Sequence, residues 1–159
     1  TLFPTKNPKD MDEPWYNTFD EGSAQYTSGE VENAKPTSTL LREDNGSLKP
    51  YNWMDAIELA ASNPAKFWER IEFGGNPGHL TGQVLYLLLE REGLTPEKQT
   101  VALQKFAEYY KEPGAKTNKD MIQSAYEFAL GKKLDNLFGG LERGISRFYA
   151  MPTSNSTPR

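Results

Sequence analysis

Thr81-Gly82-Gln83-Val84-Leu85-Tyr86-Leu87-Leu88-Leu89-Glu90-Arg91-Glu92 is the stretch that decides the fold. Its middle six residues are apolar without interruption, and Gly93 follows as a helix stop. The stretch predicts a helix that is apolar on every side. Such a helix has no face for water and belongs at the centre of a bundle, covered by other helices.

The flanking sequence supplies the cover. Asn52, with Asp55 three residues on, opens a helix to about Ser62. Asn63-Pro64 caps and starts a second, running from Ala65 to about Phe73 and stopping at Gly74-Gly75. Pro77-Gly78 is expected as a turn. Thr95-Pro96-Glu97 starts a helix that ends before Pro113-Gly114, with Leu103, Phe106, Ala107 and Tyr110 in one stripe. Thr117, with Asp120, opens another that ends at Gly131, its buried stripe being Ile122, Ala125, Ala129 and Leu130. A last amphipathic segment carries Leu134, Leu137, Phe138, Leu141, Ile145 and Phe148 on one face. Gly139, Gly140 and Gly144 interrupt it, each costing ~1 kcal/mol against alanine, so it needs docking to persist. No period-2 strand of convincing length appears. The fold class expected is mainly α: a compact bundle of five to six short helices over 51–150, with an irregular arm over 1–50 and a flexible tail over 151–159.

The arm differs from the body in composition. Residues 1–50 hold 5 Lys and Arg against 9 Asp and Glu, and the rest of the chain holds 13 against 13. The net charge of −4 therefore sits entirely in the arm. Prolines, glycines and small polar residues dominate it, and Val, Ile, Leu and Met are few. Such a segment cannot offset its ordering entropy alone. Phe3, Trp15, Tyr16, Phe19 and Tyr26 are its expected anchors. Two roles are open: pegs for pockets on a partner, or side chains that wrap the arm onto its own body.

Counts exclude several chemistries. The 159 residues include no cysteine, which removes disulfides, thiolate nucleophiles and cysteine-ligated metals. His79 is the single histidine, so a multi-histidine zinc site cannot form within one chain. Neither a phosphate loop nor a calcium loop is present, and no cofactor is expected. A neutral body and an acidic arm argue against nucleic acid as the main partner. Six apolar residues in a row fall far short of the ~20 that span a membrane. Thr1-Leu2-Phe3-Pro4 has no charged start followed by an apolar stretch, so no signal peptide is expected in it. The compartment stays unassigned.

Among short motifs, Glu69-Arg70-Ile71-Glu72-Phe73-Gly74-Gly75-Asn76-Pro77 stands out. A glutamate at a helix end, followed by a glycine turn and Asn-Pro, resembles the catalytic-glutamate motif of lytic transglycosylases. The resemblance implies that Glu72 serves as general acid and base on the glycosidic bond of peptidoglycan. That role needs a carboxyl held protonated near an apolar wall. Phe73 stands where the family has serine. His79, in the following loop, is a candidate general base or pH-sensitive contact, or simply a loop residue. Trp53, Phe67 and Trp68 could stack on a sugar or base, but helical spacing favours core packing. Leu134–Tyr149 could lie on a membrane surface, or dock as an ordinary helix.

The functional expectation is a non-enzymatic interaction protein, a subunit of a large assembly such as a phage virion, whose arm binds neighbouring subunits. The alternatives are the transglycosylase activity through Glu72, and a small adaptor or inhibitor that wraps one host protein.

Overall fold

The structure, a computed structural model, describes residues 13–29, 40–49, 53–72, 76–115 and 117–150. Its centre is the apolar run. Helix α4, Pro77–Arg91, buries every residue from Leu80 to Leu89. It begins four residues earlier than expected. Asn76 caps it, its Oδ1 accepting from Gly78 N at 2.8 Å, so Pro77-Gly78 forms the first helical turn.

Five further helices of the body follow the sequence signals: α2 Trp53–Ser62, α3 Pro64–Arg70, α5 Pro96–Tyr110, α6 Lys119–Leu130 and α7 Asp135–Ala150. Asn63 and Thr95 cap α3 and α5 as their Asn-Pro and Thr-Pro pairs predict. Asn118, and not Thr117, caps α6. Gly131 closes α6 at φ +69°, a left-handed cap that favours glycine. Trp53 heads α2, and its side chain lies outside the described residues, as do Phe3 and Phe73 to Gly75.

The arm is corrected. Residues Glu13–Thr27 form a 15-residue helix, α1, which packs along α4. The signal was present: Trp15, Phe19, Gly22 and Tyr26 recur at helical spacing. Low apolar content concealed it, because two of the positions that face α4 are small or polar. Gly22 and Gly82 let the two backbones touch. A Cβ on Gly82 would stand 2.6 Å from Gly22 N and 2.7 Å from Thr18 O. Thr18 and Thr81 hydrogen-bond across the same crossing at 2.8 Å, both fully buried.

Two of the three glycines of α7, Gly140 and Gly144, are sockets. A Cβ on Gly140 would meet Pro64 Cβ at 2.7 Å, and one on Gly144 would meet Trp68 Cε2 at 2.7 Å. Gly140 and Gly144 share one face of α7, and Pro64 and Trp68 share one face of α3, both four apart. The face that weakens α7 as a lone helix is the one that seats α3 against it. Leu134, Phe138, Leu141 and Ile145 of the apolar stripe are buried in the core, and Leu137 and Phe148 pack half-buried against it. Among the described residues, no helix is long and apolar enough to cross a membrane.

Among the described residues, three short strands accompany the helices: β1 Leu40–Arg42, β2 Leu48–Lys49 and β3 Ile71–Glu72, in the order β2-β1-β3, all antiparallel. They are two or three residues long, too brief to carry a period-2 signal.

Candidate functional site

Glu72 is the residue with the sharpest sequence case. It ends β3, just past α3, and is 34% exposed at its side chain. Two guanidinium groups grip it. Arg42 Nη2 donates to Oε1 at 2.9 Å, and Arg147 Nη2 donates to Oε2 at 2.8 Å. Arg147 Nη1 also donates to the Ile71 carbonyl at 2.6 Å and to the Trp68 carbonyl. Arg147 thereby ties the end of α7 to the α3–β3 junction, and Glu72 neutralises it.

The electrostatic direction follows. The hydrogen bond from Arg42, with that from Arg147, holds the Glu72 carboxyl below its ordinary range, against the opposing pull of partial burial. A general acid for glycoside cleavage needs the reverse, a carboxyl kept protonated. The wall expected to be apolar is made of two cations. Phe73 to Gly75 of the resembling motif lie outside the described residues.

His79 stands on the first turn of α4 with its side chain 55% exposed. Its Nε2 lies 2.9 Å from Glu21 Oε2 on α1. It therefore pins α1 to the start of α4, a few residues from the Gly22–Gly82 crossing. Glu21 carried no signal in the sequence, because the pair is 58 residues apart and forms only once α1 docks.

The aromatic anchors divide. Trp15 and Phe19 are buried at 5% and 1% exposure. Trp15 stacks on Phe138 at 6.0 Å, and Phe19 meets Phe106 at 4.7 Å. They wrap the arm onto its own body and are not available to a partner. Tyr16 and Tyr26 are half-buried and pack against the core, Tyr26 lying 5.5 Å from Tyr86. Phe67 and Trp68 are core residues in edge-to-face contact. Tyr109 and Tyr110 are both half-buried.

Two features were not legible in the sequence. One is a polar knot in the core. Tyr126 donates to Gln99 Oε1 at 2.7 Å, and the Tyr86 and Tyr126 hydroxyls hydrogen-bond to each other. Burial raises both phenols well above the ordinary tyrosine range, so they stay protonated. A cleft of about 590 Å³ opens beside this knot, lined by Tyr26, Leu94, Thr95, Gln99 and Leu103 among others.

The other lies on the α5–α6 surface. Phe128 is 58% exposed and Val101 37%. The Lys105 ammonium stands 4.5 Å from the centre of the Phe128 ring and 5.6 Å from that of Tyr109. Val101, Lys105 and Tyr109 follow one another at intervals of four on α5, so the four side chains make one continuous strip. Among the described residues, no group of three or more His, Asp or Glu side chains is arranged to hold a metal ion. Comparison with protein-family models, with curated proteins and with solved structures finds no match.

Proposed function

We propose that this chain is a non-enzymatic interaction protein, a structural subunit of a larger assembly such as a virus particle. One observation carries this: the aliphatic and aromatic strip on α5–α6. Phe128 is exposed, whereas Phe19, Phe67, Phe106 and Phe138 are all buried in the same molecule. An aromatic ring on a regular helix, flanked by Val101 and Tyr109 and capped by a cation, has the composition of an interface centre. The contact surface in this proposal is the α5–α6 face, because Trp15 and Phe19 are already committed to the core.

The transglycosylase alternative loses support at Glu72, whose two arginine partners favour the ionised form. The wrapping adaptor loses support at Trp15 and Phe19, the residues with which it would grip.

Sedimentation of the purified chain over a range of concentrations tests the proposal, with zymography on cell-wall material alongside. Association should rise with concentration, and Phe128→Ser should weaken it about tenfold without lowering thermal stability. A chain that stays monomeric throughout, and clears cell wall in a manner abolished by Glu72→Gln, overturns it.

A further inference from the structure

The β1–β2 hairpin turns on Glu43-Asp44-Asn45-Gly46-Ser47, and every residue from Arg42 to Lys49 is exposed. The chain has ten asparagines, and Asn45 is the one followed by glycine. Gly46 adopts φ +87° with nothing within 4 Å of where a Cβ would stand. With no side chain of its own, glycine adds no bulk beside the nitrogen that follows the Asn45 side chain. The Asn45 amide is also polarised. Ser47 N–H donates to Asn45 Oδ1 at 3.0 Å, and Ser47 Oγ donates to the same oxygen at 2.7 Å. Two donors sit where negative charge develops if Cγ is attacked.

We propose that Asn45 is a site of spontaneous modification, in which the turn closes to a succinimide and opens to aspartate or isoaspartate. The Gly46 backbone nitrogen attacks Asn45 Cγ, forming the N–Cγ bond. The Cγ–Nδ2 bond breaks, and ammonia leaves. The proton on Gly46 N passes to solvent, and one solvent proton completes the ammonia. Water then adds to either imide carbonyl. Nothing is oxidised or reduced, and water is the sole co-reactant, so the reaction does not depend on compartment. The brake is also visible: Gly46 N–H donates to Glu43 O at 3.0 Å, a bond that must open before the nitrogen can attack. It closes an exposed turn between strands of three and two residues, so opening it is a local event.

The consequence reaches the Glu72 clamp. Arg42 Nη1 donates to Gly46 O at 2.8 Å while its Nη2 holds Glu72. A carboxylate at position 45 offers Arg42 a second anion beside the first. An isoaspartyl link lengthens the backbone by one carbon and breaks the Arg42–Leu48 pairing of the hairpin. Either product loosens the grip of Arg42 on Glu72.

The full chain should be incubated folded at mildly alkaline pH and followed by intact mass, peptide mapping and isoaspartyl detection. Residue 45 should convert before any other asparagine, releasing one ammonia per chain and giving both acid products. Asn45→Gln, which would need a larger ring, should remove that first conversion. Amide exchange at Leu41 and Arg42 should rise in step with the conversion. Two results overturn the proposal: another asparagine converting first, or Asn45 keeping its amide in the folded chain while the urea-unfolded chain converts.

Discussion

Replacing Gly144 by alanine should destabilise the protein, although alanine is the better helix former. Intrinsic propensity alone predicts a gain of about 1 kcal/mol in a helix interior. The tertiary structure opposes it. The new methyl would lie 2.7 Å from Trp68 Cε2 and still closer to two other ring atoms. Trp68 is 2% exposed and held by Phe67 at 4.8 Å and Phe148 at 6.3 Å, so the indole has nowhere to go. Overpacking a filled core costs about 1–3 kcal/mol, and a rigid buried ring places this case at the upper end. The net expectation is a loss of about 2 kcal/mol. At this chain length that lowers Tm by about 4–8 °C. Gly139→Ala is the internal control. It lies on the same helix, five residues away, with nothing within 4 Å of its Cβ position. It should gain about 1 kcal/mol and raise Tm by about 2–4 °C. Both variants can be followed by thermal and urea unfolding in far-UV circular dichroism. If Gly144→Ala stabilises as much as Gly139→Ala, the seating of Trp68 on α7 is refuted.

Trp15→Ala should cost the isolated chain about 3–5 kcal/mol, because it empties a site stacked on Phe138. If the unfolding midpoint of the variant matches that of the parent, Trp15 is a peg waiting for a partner and not a core residue. Glu72 makes stability depend on pH in the acid range. Its carboxyl titrates below its ordinary 4.5, so the unfolded chain binds the extra proton. Its contribution is complete above about 4.5 and is lost as pH falls through the lower folded value. In Glu72→Gln the acid limb of the stability–pH profile should be shallower; an unchanged limb would mean that the two arginines do not hold the carboxylate.

Helix starts were readable because they are local. Asn63-Pro64 and Thr95-Pro96 fix their own φ and supply their own caps, whatever packs against them. Asn76-Pro77 carries the same signal, but Pro77-Gly78 also reads as a turn, and a helix accepts both residues in its first turn. Helix α1 was missed for a different reason. Its contact face uses glycine and threonine, which register as loop residues in composition, yet let the backbones of α1 and α4 touch. The Glu72 motif was legible as a pattern, but its chemistry depends on Arg42 and Arg147, 30 and 75 residues away.

By itself the sequence determined that α4 lies inside, because six consecutive apolar residues leave a helix no face for water. It also determined that the body is a run of helices, with the starts of α3 and α5 at their Asn-Pro and Thr-Pro pairs, and that cysteine and multi-histidine chemistry are excluded within this chain. Only the tertiary structure decided that Trp15 and Phe19 fill the core, that Gly140 and Gly144 receive α3, and that Glu72 is a clamped anion. The reason is physical. Caps, turns and amphipathic periods depend on neighbours within one or two turns of chain. Burial, close approach and carboxyl protonation depend on what the rest of the chain brings alongside.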